Sequence, residues 1–195
     1  MHYLSDTSTF TGNDEDWVQV DSRNINSNRV TGPITWDALD VPYRLGSTDS
    51  IHKVSDVELI IDPGAELQFE EQSQLWFASG SVINVQGEEN NRIVFTATAD
   101  SRTQIPGWWD GIYVSSNSIL NTMDYVTVEY GGRALGGNLG LGTGFGNNAA
   151  LTLTNSIIRN SASAGVFYDP NDVSTSNWSG NTYSGNQGGD VVANN

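Results

Sequence analysis

The chemistry open to a chain depends on which reactive side chains it can bring within reach of one another, and this one carries few. Its 195 residues include no cysteine, one lysine (Lys53) and two histidines (His2 and His52). A thiolate nucleophile, a disulfide staple and a Cys-ligated zinc or iron–sulfur centre are thereby excluded. Abstracting a proton beside a uronate needs a Lys, Arg or His base, often helped by calcium. His52 and Lys53 fall in a segment read as an N-terminal cap, away from the repeated faces of the chain, and are expected to be surface polar residues. Glycoside hydrolysis needs two carboxylates about 5 to 10 Å apart. Glu58, Glu66 and Glu129 on strands, with Glu70-Glu71 and Glu88-Glu89 at turns, supply carboxylates, but no hydrolase motif surrounds them. No catalytic residue is assigned, and the chain leans away from enzyme chemistry.

Binding residues are more numerous. Trp76, Tyr113 and Phe167 recur at equivalent outward positions of a repeat, and flat aromatic faces at regular spacing suit the apolar faces of sugar rings. They are the candidate carbohydrate platform. Oxygen-rich turns at Asn13-Asp14-Glu15-Asp16 and at Asp169-Pro170-Asn171-Asp172 suit calcium, the one cofactor the sequence suggests. Asp169, Asn171 and Asp172 are the better ligand set, set against a plain Asx turn. The run Gly131–Gly146 lacks the Gly-Lys-Ser/Thr ending of a phosphate loop and reads as a coil-threading loop whose leucines and Phe145 fold back onto the core. Thr96-Ala97-Thr98 and Thr152-Leu153-Thr154 resemble the threonine triplets of ice-binding surfaces, but the repeat alignment puts Val94, Ile157 and Tyr183 beside Thr127, which breaks the array.

A formal charge of −15 argues against nucleic-acid backbones and anionic membranes as partners. No apolar run is long enough for a spanning helix, and Met1–Asp6 lacks the basic and apolar regions of a signal peptide. The chain reads as a piece of a longer one.

The elements that must position these residues are short strands. Residues 1–22 form an acidic, polar lead-in, 23–56 a proline-punctuated cap or first coil, and 57–195 a run of apolar alternations every seven to ten residues, broken by Gly, Asn, Asp and Ser. Four segments align, with Ile93 over Val126, Ser156 and Thr182, and Phe95 over Val128, Ile158 and Ser184, all inward. Second strands fall at Leu75, Ile112, near Leu141 and at Val166, and third strands around Ile83, Leu120, Leu151 and Ser174. Three short strands per irregular repeat describe an all-β fold, a right-handed parallel β-helix (solenoid) of about four coils with an N-terminal cap. Asn160 and Asn186 are expected to stack inward as an amide ladder, and Glu129 to meet Arg159 as outward neighbours one strand spacing apart, about 4.8 Å.

The segments Ile61-Asp62-Pro63-Gly64-Ala65-Glu66-Leu67-Gln68-Phe69, Asn91–Thr96, Pro106-Gly107-Trp108-Trp109-Asp110-Gly111-Ile112-Tyr113 and Tyr125–Gly132 follow one another in an order that resembles bacterial secreted or cell-surface right-handed parallel β-helix repeat proteins. The resemblance spans about residues 30 to 195, and it implies the fold and an extracellular or cell-surface setting. It implies no single activity, since such solenoids serve as lyases, hydrolases, adhesins and inert spacers. The expectation is therefore a non-catalytic module, a spacer or adhesive part of a larger protein whose partner is a polysaccharide or another surface protein. A carbohydrate-binding or polysaccharide-degrading protein is the alternative, and an ice-binding protein ranks below it.

Overall fold

Alternating apolar residues in stretches too short for a helix leave the backbone one economical way to satisfy its polar groups, which is to pair each stretch with its equivalent one turn away. The computed structural model describes residues 7–21, 24–28, 31–46, 50–98, 104–142 and 148–194, and His2 and Phe145 lie outside them. In chain order the strands are β1 (Val18–Val20), β2 (Asn24–Asn26), β3 (Ile34–Trp36), β4 (Tyr43–Leu45), β5 (Ile51–Ser55), β6 (Glu58–Ile61), β7 (Glu66–Phe69), β8 (Gln74–Phe77), β9 (Val82–Gln86) and β10 (Ile93–Ala97). There follow β11 (Gly111–Val114), β12 (Thr122–Asp124), β13 (Val126–Glu129), β14 (Gly137–Leu141), β15 (Ala149–Thr154), β16 (Ile157–Arg159), β17 (Ala164–Tyr168), β18 (Val173–Ser179), β19 (Thr182–Ser184) and β20 (Gly189–Ala193). Among the described residues there is no helix.

Every third strand joins the same sheet. The first sheet runs β1-β4-β7-β10-β13-β16-β19, the second β2-β5-β8-β11-β14-β17-β20 and the third β3-β6-β9-β12-β15-β18. All pairings between these strands are parallel. The fold is a parallel β-solenoid of about six turns, a prism about 30 Å tall at one strand spacing per turn. The expected four coils are thus too few. Strands β1 to β5 already belong to the three sheets, so the described residues from Val18 to Ser55 are ordinary turns of the solenoid, with no separate cap among them. Their alternation is hard to see because β2 carries Ile25 as its sole apolar residue.

Inside, like stacks on like. One ladder of the first sheet runs Val18, Tyr43, Leu67, Phe95, Val128, Ile158, Tyr183. The second sheet contributes His52, Leu75, Ile112, Leu139, Val166 and Val191, and the third Trp36, Ile61, Val85, Met123, Leu153 and Trp178. Each fully buried aliphatic or aromatic rung contributes about 1.5–3 kcal/mol. Two register expectations fail here. In the last turn Tyr183, not Thr182 or Ser184, takes the inward place, and Ser184 lies beside Arg159. In the third sheet Leu120 is 67% exposed at a corner and Met123 is the buried rung.

Corners are held by asparagines. Tyr130, Asn155 and Asn160 adopt left-handed backbone, φ 64°, 50° and 53°, a conformation that costs a non-glycine residue about 1–3 kcal/mol. At each, one asparagine amide from elsewhere spans the corner. Asn138 accepts from Gly131 N and donates to Val128 O around Tyr130. Asn181 does the same for Ser156 N and Leu153 O around Asn155, and Asn186 for Ser161 N and Ile158 O around Asn160. Asn186 therefore satisfies turn backbone, but it does so by clamping a corner and not by stacking on Asn160.

Candidate functional site

The outward face of the second sheet carries the aromatic column. Its register sets Lys53 beside Trp76, Trp76 beside Tyr113, Tyr113 beside Gly140, Gly140 beside Phe167 and Phe167 beside Val192. Trp76, Tyr113 and Phe167 thus share one line, with a glycine between the last two. Lys53 Nζ stands 4.6 Å from the centre of the Trp76 ring, and Trp76 Nε1 donates to Ser115 Oγ at 2.8 Å. The Trp76 and Tyr113 rings lie 5.9 Å apart, tilted by 43°. Trp76 and Phe167 are half-buried, whereas Tyr113 is 1% exposed.

Tyr113 is buried because the first part of the glycine run crosses this face as a strap. A side chain at Gly140 would stand 3.0 Å from the carbonyl oxygen of Leu135 and 3.3 Å from its Cβ, with the Tyr113 ring edge 3.6 Å away. Leu135 therefore fills the gap in the column that Gly140 leaves. Gly136, at φ +73°, lies against the Phe167 ring, 2.4 Å from where a Cβ would be. Arg133 ties the strap to Asp110 at 3.7 Å. Leu139 and Leu141 of the same run point into the core. Burial, and then the Asp172 carboxylate, push the Tyr113 phenol above its ordinary pKa.

The turn proposed for calcium lies at the end of β17. Asp169 Oδ1 accepts from Asn171 N at 2.9 Å and from Asn171 Nδ2 at 3.2 Å, while Asp169 O accepts from the amides of Asp172 and Val173. Asp172 O accepts from Ala149 N. The bonds of Asp169 are those of an Asx turn, and the bond from Ala149 N joins this corner to the preceding turn of the third sheet. Among the described residues no group of three or more His, Asp or Glu side chains is placed to hold a metal ion.

Trp109 is fully buried, stacks on Phe69 with ring centres 4.0 Å apart and donates from Nε1 to Glu129 O. His52 is a buried rung of the second sheet, contrary to the expectation of a surface residue, because β5 is a strand of the solenoid and its alternation turns His52 inward. Lys53, next along, points outward to Trp76.

Periodicity does not reveal one further feature. Ala38, Asp62, Pro63, Glu88 and Asn91 line an open cleft of about 550 Å³ at the corner between the third and first sheets. Beside it Tyr43 donates from its hydroxyl to Asp37 O at 2.8 Å, and burial, then Asp37 and Asp62, hold its phenol far above the ordinary value. Carboxylate and amide groups in such a cleft suit hydroxyl-rich or cationic groups. The Pro63-Gly64 turn marks the corner in the sequence, and the turn one coil on supplies Glu88 and Asn91 to the lining.

Fold and faces together define a parallel β-solenoid with braced outer columns. No protein-family model, curated protein or solved structure matches the chain.

Proposed function

We propose that the chain is a non-catalytic module of an extracellular or cell-surface protein, serving as a rigid spacer or adhesive part. One observation carries this reading: polar side chains on the outer columns are bonded from one turn to the next. Glu129 accepts from Thr96 Oγ1 on one side and Arg159 Nε on the other. Asn84 donates to Glu58 across turns, and Thr154 and Asn155 both donate to Asp124. Such bonds spend polar groups on stiffness along the prism axis. The test is incubation with a panel of neutral and acidic polysaccharides, reading new reducing ends or unsaturated products. This reading expects none; release of either product, lost on substituting a carboxylate of the cleft at Asp62 and Glu88, overturns it.

A second reading, a carbohydrate-binding module, is favoured by the half-buried Trp76 with Lys53 above it and by Phe167 in the same line. A cation held against an aromatic ring beside further aromatic surface suits a sugar bearing a carboxylate or sulfate. Retention of glycans that depends on Trp76 distinguishes it from the first.

A further inference from the structure

The chain holds two Asp-Pro bonds, Asp62-Pro63 and Asp169-Pro170, and the fold treats them differently. An aspartate before proline can hydrolyse its own peptide bond, because its carboxylate reaches the adjacent carbonyl carbon and the proline nitrogen leaves as a secondary amine. The rate depends on what stabilises the negative charge that builds on the carbonyl oxygen as the carboxylate attacks. At Asp169 that oxygen accepts from two backbone amides, Asp172 N at 3.1 Å and Val173 N at 3.0 Å. At Asp62 it takes one backbone amide among the described residues, Ala65 N at 3.2 Å. The rest of Asp169 is held as well. Its own amide donates to Leu141 O at 3.1 Å, one turn back, and Asn171 donates to Oδ1 from N at 2.9 Å and from Nδ2 at 3.2 Å. Attacking group, scissile carbonyl and charge-stabilising donors are therefore fixed relative to one another before reaction, which is where a rate advantage over a loose chain arises.

We infer that Asp169-Pro170 is a self-cleavage site, at which the turn between β17 and β18 hydrolyses its own backbone. The Asp169 carboxylate attacks the carbonyl carbon of its own peptide bond, with Oδ2 as nucleophile because Oδ1 carries both Asn171 bonds. The new C–O bond closes a cyclic anhydride as the C–N bond to Pro170 breaks, and a proton from solvent goes to the departing nitrogen, the new N-terminal amine. One water then opens the anhydride and restores the Asp169 side chain beside a new α-carboxylate. Water is the sole reagent consumed, and nothing is oxidised or reduced. The cut pieces stay paired through the β15–β18, β16–β19 and β17–β20 ladders. Because the event happens once, on the chain's own backbone, it goes beyond the reading as a non-catalytic module and does not rest on it.

The test is incubation of the 195-residue chain at about pH 5, where an ordinary aspartate is ionised, both in buffer and in urea strong enough to abolish its β-sheet circular dichroism. Products are read as intact masses under denaturing conditions, so that paired pieces separate. In buffer, fragments 1–169 and 170–195 should accumulate, and cleavage at Asp169-Pro170 should outrun that at Asp62-Pro63 about tenfold or more. In urea, cleavage at Asp169-Pro170 should slow until the two bonds break at similar rates. Asp169→Ala should abolish fragment 170–195 and leave the cut at Asp62-Pro63 as it was. An intact Asp169-Pro170 bond in buffer, equal rates at the two bonds in the folded chain, a preference that survives in urea, or fragment 170–195 released from Asp169→Ala each overturns the proposal. The comparison of folded and unfolded chain needs no variant, and no polysaccharide is present, so the result is separate from the test of function above.

Discussion

Arg159 Nε lies 2.6 Å from Glu129 Oε2, although thirty residues separate them in the chain. They meet because β13 and β16 pair in register as outward neighbours on successive turns. Glu129 is 7% exposed and also accepts from Thr96, whereas the Arg159 side chain is 44% exposed. An opposed pair of this kind contributes about 0.2–1 kcal/mol. Arg159→Ala should cost toward the upper end of that range, since it leaves a mostly buried carboxylate with Thr96 alone. A double-mutant cycle with Glu129→Gln, read by denaturant unfolding, should show coupling that shrinks at high salt, and zero coupling would contradict the bracing role.

Asn138 is fully buried and bridges three backbone groups, Gly131 N, Val128 O and Arg159 O. Asn138→Ala strands them together, and each buried group left unpaired costs about 1–3 kcal/mol. Asn186→Ala, at a half-exposed corner of the last turns, should cost less. Equal losses for the two variants in urea unfolding would argue against the clamp as the source of corner stability.

Gly136 and Gly140 make room for the strap. Gly136→Ala combines a positive φ with a clash against Phe167, and should destabilise by about 1–3 kcal/mol. Leu135→Gly should instead keep the fold and bare Tyr113. Acetylation by N-acetylimidazole, mapped by mass spectrometry, should reach Tyr113 in Leu135→Gly and spare it in the unmodified chain; equal labelling in both would mean that Leu135 does not shield the ring.

Tyr43, Tyr113 and Tyr183 all have phenols raised above the ordinary value, chiefly by burial. Unfolded tyrosines ionise near pH 10 while these three still hold their protons, so above that pH the unfolded chain binds fewer protons and folding stability falls. Below about pH 10 their contribution is complete and flat. Tyr43→Phe loses the bond to Asp37 O, at about 1 kcal/mol near neutral pH, but should flatten the alkaline slope. An unfolding free energy that rises from pH 10 to 11 would contradict the burial of these rings.

Much of the fold is legible in the sequence wherever two apolar residues alternate in one strand. The pairing of Ile93 with Val126 and of Val128 with Ile158 can be read directly, and with it the meeting of Glu129 and Arg159. The first turns are not legible, because strands of three residues such as Asn24–Asn26 show one inward side chain and no period. The last turn misleads because Thr182 and Ser184 alternate as neatly as Tyr183 would, and only the reach of Asn181 and Asn186 to their corners fixes the choice. Trp76, Tyr113 and Phe167 can be placed in one line from the repeat alone. That Leu135 lies on Gly140 follows from the path of a loop, which periodicity does not encode.

The most direct measurement is retention of immobilised glycans by the unmodified chain and by Trp76→Ala. Trp76 is half-buried, bonded to Ser115 and covered on its ring by Lys53, so its surface is committed to neighbouring turns. No retention above background is expected for either protein, with unchanged β-sheet circular dichroism in the variant. A glycan held by the unmodified chain and released by Trp76→Ala would contradict it, and would make the second sheet a binding face instead of a brace.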